Sequence, residues 1–589
     1  MKFLSPTLRT FIILVLALGA SARGMNYSVP FVRDGLPYFD ANGDLYVTGF
    51  GATVGEIEVR GPEGNGIDGF DGHRQSALGP NPGDPGYGQY GFVNVVDFSG
   101  SNDPTDNYFH GTFVAGIMAS EYTSVSDGVD SGPFLGVAPL ATYYGAVFDG
   151  SGDKTGFLSL NDSLNYTLLQ EGASVANNSW GAPVTSATDL DGNSATSLLM
   201  DEYVGYAGKT GGTTGQYSDK LLVIAAGNNG ETGGLLDQPA DSFNGLTVGA
   251  LDAVDPNATG LFDPGRMPAD RVAPYSSWAP LANGRGGVDV VAPGTDLWST
   301  LSINYTGTNG LVAGTASGTS FATPHVTGVA ALLYGAAIYP LGGLSDKGTL
   351  LSTDHKLIKA IIINSADKIP GLDANGFAQD SWQPGVMTTT DDVPNAIVPL
   401  NYAVGSGSVN ANSAYLEYSE SGNTFWDLNT LATTGTDIYY TFGLGKFSTA
   451  DPTQLLSGLT ATLVWDRHVD FTVDTTSDPD TVGQVTKDLL SDLDLILQEE
   501  VAPDVWQNVY MSGDTGSTVD QIYLPELSGT AEYRLDVHAG DIADPSTNGE
   551  QYALAVSFTT IPEPGSPFVL VFTVIAIVVL RPRNKKPVL

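Results

Sequence analysis

The distribution of apolar residues divides the chain into two textures. As far as about residue 420, short apolar runs alternate with longer stretches in which apolar residues recur at helical spacing. Leu221-Leu222-Val223-Ile224-Ala225-Ala226 is apolar without interruption and is stopped by Gly227-Asn228-Asn229-Gly230. An unbroken run bounded by turn residues predicts a central parallel strand covered on both faces. Thr48 to Glu58 opens with glycines and runs as an apolar strand to a carboxylate. Val95–Phe98 and Thr142–Val147 predict further strands, and Val175–Gly181 predicts a strand ending in a glycine turn. Leu158–Leu169 and His355–Ser365 predict helices, and Val326, Val329 and Ala330 lie three or four apart on one face of another. Strands alternating with helices predict an α/β fold, a parallel sheet flanked by helices on both sides.

From about Asn423 to Thr560 the helical spacing disappears. Ile438–Phe442, Ala461–Trp465, Leu493–Leu497, Gln521–Leu524, Tyr533–Val537 and Tyr552–Phe558 follow one another with turns between them. Short strands without intervening helices predict a β-sandwich over 423–560.

The two ends differ from both. Lys2 and Arg9 precede the apolar run Phe11–Leu18, and Ala20-Ser21-Ala22 offers a small-residue cleavage site. Residues 1–22 are expected to be a secretory signal peptide, too short in its apolar part to span a bilayer. At the other end, Pro562-Glu563-Pro564 leads to an apolar run Phe568–Leu580 and then to Arg581, Arg583, Lys585 and Lys586. A short apolar tail with a basic stop predicts transient membrane anchoring with the basic end inside. The three-part order resembles the PEP-CTERM sorting signal of Gram-negative bacteria. That resemblance implies that an exosortase-type enzyme recognises residues 562–589 and removes them. The protein would then reside at the cell surface, in extracellular matrix or in the medium.

Composition narrows the function. The chain has 589 residues and no cysteine, which excludes disulfides, a cysteine nucleophile and thiolate metal sites. Its formal net charge of −41, from 65 acidic against 24 Lys and Arg residues, argues against nucleic-acid binding. A solvated acidic surface accounts for it. Structural Ca²⁺ on some of the carboxylates is left open, although no loop matches an EF-hand.

The candidate chemistry centres on Gly314 to Leu333, GTASGTSFATPHVTGVAALL. A glycine-rich approach delivers Ser320 onto the first turn of a helix. Unpaired N–H groups and the positive dipole end there suit a nucleophile whose substrate becomes an oxyanion. Gly318 to Val326 resembles, nearly residue for residue, the catalytic serine motif of the subtilisin-like serine proteases (subtilases). Asp106 to Ala119, with His110-Gly111-Thr112-Phe113-Val114-Ala115-Gly116, resembles the family's histidine helix. His325 lies about 140° around its helix from Ser320 and is read as a packed residue. Ala225-Ala226-Gly227-Asn228 resembles the segment whose asparagine donates to the oxyanion.

The resemblance implies a Ser-His-acid triad and an acyl-enzyme mechanism needing no cofactor, with polypeptides as substrates. It places the nucleophile on Ser320, the base on His110 and the oxyanion donor on Asn228. Substrate binding would fall to Ser179, Trp180 and Gly181. For the acid, the register of the first core strand implies Glu58 where the family has Asp. Asp97 is the alternative, but it lies only 13 positions before His110, with no room for the strand that subtilases place between acid and histidine. The order acid, His, Ser is the subtilisin order, and Gly318-Thr319-Ser320-Phe321-Ala322 departs from the G-x-S-x-G of an α/β-hydrolase.

The implied catalytic domain covers 46–420. Segment 23–45 is shorter than the inhibitory propeptide that subtilases often carry there. The function expected is a secreted or surface-displayed serine endopeptidase. The Glu at the acid position and the short 23–45 segment raise a second reading, a surface or matrix protein that kept the fold with weakened catalysis.

Overall fold

The computed structural model describes residues 25–37, 47–60, 91–100, 110–122, 134–205, 220–254, 267–297, 299–300, 316–338, 352–390, 392–420, 423–443, 454–476, 478, 481–513, 516–527, 532–543 and 549–562. The expected signal peptide and nearly all of the expected sorting segment lie outside these residues.

The first half builds an eight-stranded sheet. Its strands are β1 (Thr53–Arg60), β2 (Gly91–Asp97), β3 (Thr142–Asp149), β4 (Val175–Asn178), β5 (Leu221–Ala225), β6 (Leu246–Val254), β7 (Met267–Val272) and β8 (Val290–Pro293). They lie in the order β7-β6-β5-β4-β1-β3-β2, with β8 also on β6. All pairings are parallel except β6 with β7.

Helices cover both faces. On one side lie α1 (Met25–Arg33), α2 (His110–Ala119), α5 (Thr319–Ile338), α6 (His355–Asn364) and α7 (Ala411–Tyr418). On the other lie α3 (Lys154–Leu164) and α4 (Ala195–Gly205). The unbroken apolar run of β5 has a simple cause. Leu221 and Val223 belong to the first core, while Leu222 and Ile224, pointing the opposite way, belong to the second.

The helix expected over Leu158–Leu169 begins earlier. Asp153 caps it, its side chain accepting from the N–H groups of Thr155 and Gly156, and the helix widens into a π-helical turn over Asn165–Gln170. The polar first turn hid this start from apolar spacing. Helix α5 is long and apolar enough to cross a membrane, but it is the buried central helix of the first core.

The second half is β-rich, as expected. Strands β9 (Val386–Thr390), β10 (Val393–Val398), β12 (Asp437–Gly443), β16 (Asp492–Ala502), β17 (Val505–Ser512) and β19 (Glu532–Asp541) form a sheet ordered β9-β10-β17-β16-β19-β12. Strands β11 (Thr424–Leu431), β13 (Gln454–Trp465), β18 (Val519–Leu524) and β20 (Glu550–Pro562) form another, ordered β11-β20-β13-β18. Leu463 and Trp465 of one and Leu495 and Leu535 of the other share an apolar cluster. A hairpin of β14 (Arg467–Val473) and β15 (Gly483–Leu490) leaves these sheets and inserts Val469 and Phe471 into the core beneath α4. Strand β10, contributed by residues before 420, pairs in parallel with β17, so the two halves are interleaved.

Candidate active site

The site forms where strands of the parallel sheet end, the side on which open α/β sheets place ligands. Glu58 is near the end of β1, Ser179 directly follows β4, Asn228 follows β5 by three residues, and the first turn of α5 carries Ser320. Glu58, His110, Ser179, Trp180, Gly181, Asn228 and Ser320 all line one cleft of about 190 Å³. Val59, Ala225, Gly227, Asp237 and Thr319 complete its wall.

His110 is the first residue of α2, which leaves its ring at the open end of the helix. Its Nδ1 lies 2.8 Å from Glu58 Oε2. The Glu58 side chain is 1% exposed and that of His110 is 21% exposed. The other Glu58 oxygen accepts the Val59 N–H at 3.0 Å, so the carboxylate is held on both sides. The His110 ring packs against Phe321, with centroids 5.4 Å apart.

Asp97, the alternative acid, is level with Glu58: both pair in register with Val147, from opposite sides of β3. Its carboxylate turns to the Ser99 N–H at 2.7 Å and lies 3.6 Å from Arg60 Nη2. His325 is fully buried, its Nδ1 2.9 Å from the Phe321 carbonyl, and burial pushes its pKa down to about 4. It is therefore a neutral packing residue.

Ser320 is tied to Ser179 in both directions. Its hydroxyl donates to the Ser179 carbonyl at 3.1 Å, and the Ser179 hydroxyl donates to the Ser320 carbonyl at 2.7 Å. The second bond follows from the sequence. Pro324 lies four residues after Ser320 inside α5 and has no N–H, so the Ser320 carbonyl lacks its helical donor. Ser179 takes that place, and Asn177 Nδ2 fixes the Ser179 hydroxyl at 2.9 Å.

Asn228 is oriented by the same helix terminus. Its Oδ1 accepts the Thr319 N–H at 2.9 Å and the Thr319 hydroxyl at 3.2 Å. Thr319 Oγ1 in turn accepts the Gly227 N–H at 3.2 Å. With the oxygen engaged at the helix, the exposed Asn228 side chain keeps its Nδ2 hydrogens for the cleft. Thr319 was visible in the sequence only as the neighbour of Ser320; its orienting contacts depend on the fold. Asp237 lies in no motif of the sequence, and its place on the cleft depends on the fold. Among the described residues no group of three or more His, Asp and Glu side chains is arranged to hold a metal ion.

A family model described as the subtilase family matches residues 87–407, more than half of the chain. The chain belongs to the subtilase family. The matched stretch contains His110, Asn228 and Ser320, and Glu58 precedes it. A curated relative, the thermophilic serine proteinase of Bacillus sp. (strain AK1), is 32% identical over 232 residues, 39% of this chain and 44% of that protein. Subtilisin Savinase of Lederbergia lenta is 32% identical over 235 residues, 40% of this chain and 66% of that protein. The chain spans about half the length of the curated relatives it matches. Among solved structures, a cold-adapted subtilisin-like serine proteinase aligns at 22% identity over 58% of this chain and 90% of its own, with a TM-score of 0.34, too low to add to the family match.

Proposed function

We propose that this subtilase is a serine endopeptidase that hydrolyses peptide bonds through an acyl-enzyme intermediate. The observation that carries this reading is the 2.8 Å contact of Glu58 with His110 on the cleft that Ser320 and Asn228 also line. In the proposed cycle the Ser320 hydroxyl leaves the Ser179 carbonyl and attacks the substrate carbonyl. His110 accepts its proton and returns it to the leaving amine. Glu58 keeps the imidazole proton on Nδ1 and stabilises the imidazolium. Asn228 Nδ2 and the Ser320 N–H stabilise the oxyanion.

Export by residues 1–22 and surface sorting by 562–589 through an exosortase-type enzyme complete the proposal; their support is the order of basic, apolar and small residues at each end. The β-rich half is read as a jelly-roll-like sandwich that stabilises the enzyme, supported by the apolar cluster its two sheets share.

The test uses the chain as exported by its host. Wild-type protein is expected to label at Ser320 with a fluorophosphonate and to cleave peptides, and intact mass is expected to show both ends removed. Ser320→Ala should lose on the order of 10⁶ in kcat, the cost of removing a triad nucleophile. An unlabelled, inactive wild type that is folded by circular dichroism would favour the weakened matrix protein instead. A mass retaining both ends would sink the sorting proposal alone.

A further inference from the structure

Asp237 has no part in the chemistry proposed above, yet it lines the same cleft. Pro183 pairs with Asp237 and Ala182 with Gln238, which sets Asp237 across from the Ser179–Gly181 segment. Two glycines make room for it. A Cβ on Gly181 would lie 2.6 Å from Asp237 Cβ, and one on Gly227 would lie 2.8 Å from Asp237 Oδ2. Gly227 also has φ +108, a conformation that side chains resist.

The carboxylate is half anchored. Asn229 Nδ2 donates to Oδ1 at 2.6 Å and also to the Leu235 carbonyl at 3.0 Å, fixing the side chain. No other side chain among the described residues bonds Oδ2, and none supplies a cation to it. Burial raises its pKa, and the Asn229 hydrogen bond opposes that rise. Trp180, Val59 and Ala225 are the apolar members of a wall that is otherwise mostly polar. A rigid carboxylate with a free oxygen in partly dry surroundings gains most from a cation brought by the ligand.

We propose that Asp237 selects peptide substrates with Lys or Arg at a residue adjoining the scissile bond. This rests on the endopeptidase reading. Arg would bond Oδ2 through its fork of donors, Lys through its ammonium, and an acidic side chain would be repelled. The net charge of −41 favours the approach of cationic peptides. A metal ion is the poorer occupant, because one carboxylate alone does not make a binding site.

The exported protein should be given a peptide library made by a glutamate-specific digest, and the new termini read by mass spectrometry. Lys and Arg are expected to be enriched at one position adjoining the cleaved bonds. In Asp237→Asn the preference for basic over apolar residues there should fall by about 10- to 100-fold, the worth of one charge-assisted hydrogen bond. Fluorophosphonate labelling of Ser320 checks that each variant retains a folded site, and Asp237→Ser serves if the asparagine does not fold. Cleavage without basic enrichment, or enrichment that survives both variants, overturns the proposal while leaving the endopeptidase reading intact. Absence of both labelling and cleavage in the wild type overturns both.

Discussion

At the scale of single residues, the decisive contact is between Glu58 and His110. Glu58 is buried and bonded at both oxygens, so its longer side chain is held as firmly as a shorter acid would be. Glu58→Gln keeps the shape but presents the wrong groups to Nδ1, and should lower kcat on a peptide substrate by about 10⁴ with KM changed far less. Glu58→Asp, one methylene short, should lie between the two. Retention of kcat within tenfold in Glu58→Gln would remove Glu58 from the mechanism. Ser320, His110 and Asn228 were singled out in the sequence by stretches that resemble subtilase motifs, and the fold brings all three to one cleft. Glu58 was legible only through the spacing of strands, since its residue type departs from the family. Asp237 was not legible, because what brings it to the cleft is the pairing of 182–183 with 237–238, a contact between segments over fifty residues apart.

At the scale of elements, the serine helix α5 is positioned by close packing. Gly335 faces the backbone of Gly49, and a Cβ there would lie 2.9 Å from the Gly49 carbonyl carbon and 3.0 Å from its Cα. Backbone cannot swing aside as a side chain can. Gly335→Ala gains about 1 kcal/mol of helix propensity but should lose about 1–3 kcal/mol to overpacking. A net fall in the urea midpoint, with m unchanged, is the expected result; a rise would mean that the 47–52 segment yields. The strands of the first half were readable because a parallel sheet imposes unbroken apolar runs. Strands β9, β15 and β17 were not, since their exposed positions carry Thr, Gln, Lys and Asn, and their identity comes from the partners they pair with.

At the scale of the whole molecule, the two halves are fastened by buried charge. Arg467 donates from Nη1 to the Gly192 carbonyl at 2.7 Å and from Nη2 to Asn193 Oδ1 at 2.6 Å, and it meets Asp488 at 2.7 Å. Nearby, His355 Nε2 lies 2.9 Å from Asp466, and His468 Nε2 lies 2.9 Å from Glu550, which also accepts from Ser491 at 2.7 Å. Burial works against protonated His468, but the hydrogen bond it donates to Glu550 and the charges of Glu550 and Asp466 outweigh it and the repulsion of Lys487, so its pKa is raised. Its stabilisation is complete below the ordinary value of 6.5 and is lost as pH rises through the raised one. Burial likewise works against charged Asp466, but His355 and Lys356 outweigh it and hold the carboxyl well below the usual 3.8. Its stabilisation is present above 3.8 and is lost as pH falls through the depressed value. Thermal stability should therefore peak in a mildly acidic window and decline above neutrality, and His468→Gln should flatten the alkaline decline. Scanning calorimetry from pH 4 to 9 on both proteins checks this; parallel profiles would exclude His468 as the cause.

Pro324 gives the serine helix a defect. A helix with every carbonyl satisfied has nothing left to offer its surroundings at that level. By withholding one N–H, Pro324 leaves the Ser320 carbonyl with an open socket, and Ser179, just past the end of β4, plugs into it. Ser320 is thereby aligned by a neighbouring element and not by its own helix alone. An imperfection in secondary structure serves here as the joint between two pieces of the candidate site.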